Sequence, residues 1–201
     1  MYDDNQTTSY QDPLIEADKL KLQGKHQEAI SICQKILLND LECAEAYEEL
    51  GDNYLSLREF DKALKSLTRA LKLNPRSANA HYLIGFTYSS TGDFRRSISH
   101  LEEAYKIQPN HPEILRCLGW SIFHGENRTK GLVLMERALA ISPDDVLIIC
   151  DLSVCYLNEK KFERTIKLLN HAIQVEPENE KARDCLQTAL FFQREFGKLG
   201  K

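Results

Sequence analysis

Gly51, Gly85 and Gly119 stand 34 residues apart and then 34 again, and that beat runs through most of the chain. One step outward on either side reaches Ala17 and Ser153, both small. A second small register reads Ala29, Ala63, Ser97, Gly131 and Thr165, and a third Ile36, Ala70, Ala104, Ala138 and Ala172. Pro75, Pro109, Pro143 and Pro177 keep step, with Leu41 as the exception. Large apolar residues do the same at Leu50, Ile84, Leu118 and Leu152, and at Ile30, Leu64, Ile98, Leu132 and Ile166. Phe60, Phe94 and Phe162 make an aromatic register in which His26 and Arg128 replace Phe. A period of this length, kept without insertion, specifies stacked supersecondary units rather than one closed core.

Each register has a physical reason. Apolar residues recur at helical spacing over paired stretches, such as Ala44–Leu57 with Phe60–Leu73 and Ala78–Ser90 with Asp93–Ile107. Polar breaks separate them, and Gly92 followed by Asp93 reads as a turn and a helix N-cap. Two antiparallel helices joined so tightly must cross closely, which calls for small residues such as Gly51 with Ala63 or Gly85 with Ser97. Each Pro then stops a second helix, because its ring nitrogen has no hydrogen to donate.

A 34-residue helix–turn–helix with small residues at the crossing, Tyr54, Tyr88 and Tyr156 in its first helix and a Pro at its end resembles the tetratricopeptide repeat (TPR) family. The resemblance covers five repeats, at residues 10–43, 44–77, 78–111, 112–145 and 146–179. The first is the poorest, with Pro13 and Glu16 at positions that are large or apolar elsewhere. An outer repeat tolerates this because one of its faces meets water. Residues 180–198 read as a capping helix whose stripe is Ala182, Cys185, Leu186, Ala189 and Phe192 or Phe196. Phe191 is surplus to that stripe, and residues 1–9 read as a disordered tail. The implied fold is all-α, a right-handed superhelical solenoid of antiparallel helix pairs.

Composition narrows the functional classes. With 26 Lys and Arg against 30 Asp and Glu the net charge is −4, which argues against a face that neutralises many phosphates and so against nucleic acid. The opening segment is acidic where a signal peptide is basic, and the apolar run Val146–Cys150 is far shorter than the ~20 residues that span a bilayer. The expectation is a cytoplasmic protein without membrane insertion. The six cysteines form no C-x-x-C, and no zinc-finger spacing links them to a histidine. No H-E-x-x-H, nucleophile motif or glycine-rich phosphate loop is present, and five repeats with a cap leave little room for a catalytic domain. The chain is therefore expected to be no enzyme and to need no cofactor or metal.

The resemblance implies that the first helix of each pair lines a concave groove. That places Glu45, Glu48 and Asp52 at an acidic end, after Asp18 and Lys21. Tyr82 and Phe86 follow from the third repeat; Arg116, Trp120, Phe123 and His124 come from the fourth, and Val154 from an apolar fifth. Tyr82 and Phe86 serve equally well as packing residues, whereas Trp120 and Phe123 are read as binding residues. Aromatic anchors with a single Arg are the composition of interaction hot spots. His124 is the one groove histidine, able to titrate near ~6.5. At the places where chaperone-tail clamps carry Lys, Asn and Arg, this chain holds Leu14, Asp18, Glu49, Asn79 and Leu83, so that sub-type is excluded. The expected partner is a protein or peptide with apolar anchors and some basic residues, and the expected role is an adaptor or scaffold. The alternative is a self-assembling homo-oligomer, with the aromatic C-terminal helix of one copy meeting the acidic first repeats of the next.

Overall fold

The computed structural model describes residues 11–199, and the tail expected at 1–9 lies outside the described residues. Every regular element among them is an α-helix. The chain divides into two compact units, Met1–Ile107 and Gln108–Lys201. The first holds α1 (Gln11–Leu22), α2 (His26–Asn39), α3 (Ala44–Ser56), α4 (Phe60–Leu73), α5 (Ala78–Ser90) and α6 (Phe94–Ile107). The second holds α7 (Pro112–Gly125), α8 (Arg128–Ile141), α9 (Val146–Asn158), α10 (Phe162–Val175) and α11 (Glu180–Leu199). No described helix is long and apolar enough to cross a membrane.

The aromatic register marks the first residue of the second helices, Phe60, Phe94 and Phe162, with His26 and Arg128 in the same place. The turn before each follows a shared design. The α3 turn puts Arg58 at φ +60°, with its N–H donating to the Leu55 carbonyl and the Glu59 N–H to the Tyr54 carbonyl. That bond pair closes a helix with a left-handed residue just past its end. Gly24 (φ +73°), Gly92 (φ +81°) and Lys160 (φ +57°) repeat it one, one and three periods away. Glycine takes this backbone freely, whereas Arg58 and Lys160 adopt it at a steric cost. Asp93 caps α6 as expected, accepting from the Arg96 N–H at 3.0 Å. Ser77, Asn127, Asp145 and Asn179 cap α5, α8, α9 and α11 in the same way.

The fourth turn differs. Its α7 runs to Gly125, and Glu126, at the position of Arg58 and Gly92, has φ −136°. Both Glu126 and Asn127 donate to the single carbonyl of Ile122, at 3.0 and 2.9 Å. Two residues rather than three then separate α7 from α8.

The crossings carry the core. A Cβ on Gly51 would lie 2.5 Å from Leu67 Cγ, and one on Gly85 2.5 Å from Leu101 Cγ. A Cβ on Gly131 would meet backbone instead, 2.6 Å from the Gly119 carbonyl oxygen and 2.6 Å from the Phe123 nitrogen. Around these contacts Leu67, Leu101, Leu115, Ile122, Met135, Ile148, Ile149, Leu152 and Leu169 are fully buried. In α11, Ala182 and Ala189 are buried against α9 and α10 while Phe191 stays 59% exposed.

All six cysteines are free thiols, five buried and Cys185 half-buried. Burial pushes Cys33 and Cys155 up to about 12 and Cys150 up to about 11, so these thiols stay protonated. The described residues contain no group of three or more His, Cys, Asp or Glu placed to hold a metal ion.

Candidate functional site

In the first unit, α1, α3 and α5 present the residues expected to bind. Lys21 from α1 reaches Glu49 at 3.0 Å, Asp52 at 2.9 Å and Asp18 at 3.1 Å. Three carboxylates thus surround one ammonium, and the cluster carries net negative charge. Burial disfavours the charged lysine, but the hydrogen bond and charge of Asp52, with Glu49 behind it, hold its pKa well above the usual lysine range. Burial pushes Glu49 up, and Lys21 opposes that rise. Glu48 accepts from Asn79 of α5 at 2.8 Å, while Glu45 is exposed next to the Cys43 thiol.

Tyr82 and Phe86 sit one turn apart on α5 with ring centroids 6.2 Å apart. Both are half-buried against the core formed by Leu55, Leu67, Leu83 and Ile84. Each therefore packs with one side and offers the other.

In the second unit the structure separates residues that the sequence grouped. Trp120 is half-buried on α7, its ring centroid 4.3 Å from that of His124. His124 is exposed but partly covered by Trp120 and Phe123; that desolvation, with the positive Arg128 nearby, lowers its pKa. The imidazole is then neutral at neutral pH, and its proton uptake moves to the acid side of ~6.5. Val154 is half-buried on α9, one 34-residue step beyond Trp120.

Two expectations need correction. Phe123 is 3% exposed and belongs to the core with Leu132, Met135, Leu152, Cys155 and Tyr156, so its ring is out of reach of a ligand. Arg116 is 11% exposed and pairs with Asp151 of α9 at 2.7 Å, so it is an internal strut rather than an open cation. Lys181 of α11 reaches the other oxygen of Asp151 at 3.1 Å, which links three helices through one carboxylate. Asp151 was missed in the sequence. Its signal was an opposite charge 35 residues beyond Arg116, just as Glu49 and Asp52 lie 28 and 31 beyond Lys21.

Comparison with known proteins places these faces in context. A family model described as TPR repeat matches residues 51–92, and one described as tetratricopeptide repeat matches residues 78–111. No curated protein matches the chain in sequence. Among solved structures, a thermophilic TPR protein of Thermus thermophilus is similar, with a TM-score of 0.78 at 20% identity over 91% of this chain and 100% of that one. YrrB, a TPR protein with an unusual peptide-binding site, gives a TM-score of 0.64 at 17% identity over 90% and 94%. The Cut9–Hcn1 hetero-tetramer of the APC/C gives 0.82 at 18% identity, covering 89% of this chain and 36% of the matched one. Repeat matches over residues 51–111, inside an unbroken 34-residue period, show that this chain carries tetratricopeptide repeats, on a fold shared with solved TPR proteins over nine-tenths of its length.

Proposed function

We propose that the chain is a non-catalytic adaptor, one that holds a peptide or helical segment of a protein partner on the faces of its first helices. Tetratricopeptide repeats are interaction modules, which is the general basis of the reading. The observation that carries it is Trp120, the single tryptophan, which is half-buried against the core while its ring meets the exposed His124 at 4.3 Å. A large apolar side chain of the partner would anchor against Trp120 and Val154. Tyr82 and Phe86 offer a second aromatic contact in the first unit. The negative surroundings of Glu45, Glu48 and Asp52 favour basic residues there, more through specificity and encounter rate than through raw affinity. Such a holder suits a place in a multiprotein complex.

Trp120→Ala tests this reading. Partner capture should fall about tenfold or more, the loss of one hot-spot contact. Helical circular dichroism should be unchanged, and the melting temperature should move by less than about 4 °C, since a larger shift means over 1 kcal/mol for a chain of this size. A larger melting loss would make Trp120 a packing residue and remove the proposal. Because Trp120 is the sole tryptophan, its fluorescence should also shift when a captured partner is added.

A second reading, self-assembly into a homo-oligomeric scaffold, draws on the exposed Phe191 of α11. Light scattering over a concentration range decides it, and a constant monomer mass at high micromolar concentration would sink it.

A further inference from the structure

We infer that α4, together with the side of α3 packed against it, carries a second docking surface, separate from the contacts proposed at Tyr82, Phe86, Trp120 and Val154, for an acidic segment of a partner protein. Lys62, Lys65, Arg69 and Lys72 recur at i, i+3, i+7 and i+10 and share one exposed face of the helix. No other second helix has more than two Lys or Arg at these positions. In α6, Glu103 interrupts Arg96 and Lys106; α8 has Lys130 and Arg137, α10 has Arg164 and Lys167, and α2 has Lys35 alone. The stripe is therefore peculiar to α4 and stands out on a chain of net charge −4.

The stripe also borders a groove. An open cleft of about 810 Å³ runs between α3 and α4, with Leu50 and Leu64 among its lining and Tyr47 and Tyr54 along one side. The Lys62 ammonium lies 5.3 Å from the Tyr54 ring centroid, and the Arg69 guanidinium 5.9 Å from that of Tyr47. These cation–π contacts place two of the four cations against the cleft before anything binds. Lys62 forms an ion pair with Glu59, whereas Lys65, Arg69 and Lys72 form none among the described residues.

The geometry favours an extended acidic peptide. The four cations span roughly 15 Å at about 1.5 Å per helical residue. An extended segment presents same-side residues about 6.7 Å apart, so two or three carboxylates can face the stripe while an apolar side chain enters the cleft. Nucleic acid would need cations well beyond one helix, on a chain whose balance is acidic. A membrane surface would need a protruding apolar wedge, and this cleft is recessed. Because each exposed ion pair contributes little, the binding should be weak and strongly salt-dependent.

The test uses the full chain and a fluorescein-labelled oligoglutamate peptide with one central leucine, read by fluorescence anisotropy. Binding is expected at low salt, with affinity falling at least about tenfold by 0.5 M salt as screening shortens to a few ångströms. Lys65→Glu combined with Arg69→Glu should cut it at least about tenfold, with the far-ultraviolet spectrum unchanged because both side chains are exposed. Trp120→Ala should leave it untouched, which separates this surface from the contact proposed at Trp120. No binding at low salt, or unaltered binding by the double variant, overturns the proposal. Equal or tighter binding of oligouridylate or of phosphatidylserine vesicles, lost in the same variant, overturns the assignment to a protein partner.

Discussion

The third and fourth helix pairs obey one period and yet cross in two different ways. In α5–α6, Gly85 makes room chiefly for the fully buried Leu101 side chain, with the Ser97 carbonyl oxygen farther off at 3.2 Å from where a Cβ would lie. In α7–α8 the glycines of both registers coincide, and Gly131 rests on the Gly119 carbonyl and the Phe123 backbone. The fourth turn is shorter and lacks the left-handed residue. With a second glycine in place, the helices close backbone to backbone, and Phe123, one turn past Gly119, is held inside the second unit. The comparison teaches that a small residue in a repeat register does not define one contact. Its crossing partner decides whether the fit rests on a side chain or on the main chain.

The largest effect should come from Phe123→Ala, which empties a ring-sized volume beside Met135 and Leu152 and should cost roughly 3–5 kcal/mol by chemical denaturation. A loss under about 1 kcal/mol would return Phe123 to the surface and undo the contrast with Trp120. Next comes Gly131→Ala, expected to cost roughly 2–3 kcal/mol because main chain must move. Gly51→Ala should cost less, roughly 1–2 kcal/mol, since the buried Leu67 side chain rather than main chain must shift and alanine is the better helix former. Equal losses at the two sites would erase the distinction between the crossings. Arg58→Gly should stabilise by roughly 0.5–1 kcal/mol by relieving the left-handed backbone, whereas Glu126→Gly should not, its φ being ordinary for any residue.

The smallest expected effect is on pH dependence. His100 is lowered by burial and then by His81, whose Nδ1 is 3.3 Å away, and His124 by burial and then by Arg128. In both, the folded pKa lies below the unfolded one. Their neutral forms support the fold fully above ~6.5, and stability falls as pH drops from there. Replacing both with Gln should flatten the melting-temperature profile between about pH 6.5 and pH 5, where an unperturbed histidine would charge. An unchanged slope would leave the acid sensitivity to the carboxylates.

Much of this was legible in the sequence because the period carries geometric information. Small residues at Gly51, Gly85 and Gly119 mark crossings, Asp93 marks a cap, and Ala182 with Ala189 marks the buried stripe of α11. Phe123 was harder to read. Its register holds Lys21 and Ser89 as well as Leu55 and Leu157, so polar residues and apolar core or core-edge residues mix along it, and only the packing around α7 decides which kind Phe123 is. Arg116 was misread because a residue considered one repeat at a time has no partner, and its carboxylate comes from the next first helix. The fourth turn lay beyond reach. Gly125 stands one place before the position where Gly92 serves, and only the backbone angles reveal that the helix takes it in. The α4 stripe was open to view in the letters alone, yet the groove beneath it needs α3 in place.

The buried thiols have a practical consequence. Five of the six cysteines lie within the core, and burial raises Cys33, Cys43, Cys150 and Cys155, so the native chain should be nearly silent towards maleimide at neutral pH. Half-buried Cys185, itself raised by burial, would be the slow exception. A reporter could then be installed by one added cysteine at an exposed site such as Leu147 or Phe191, without stripping the natural ones. The packing that makes these thiols chemically inert turns the unaltered protein into a clean background for site-selective labelling.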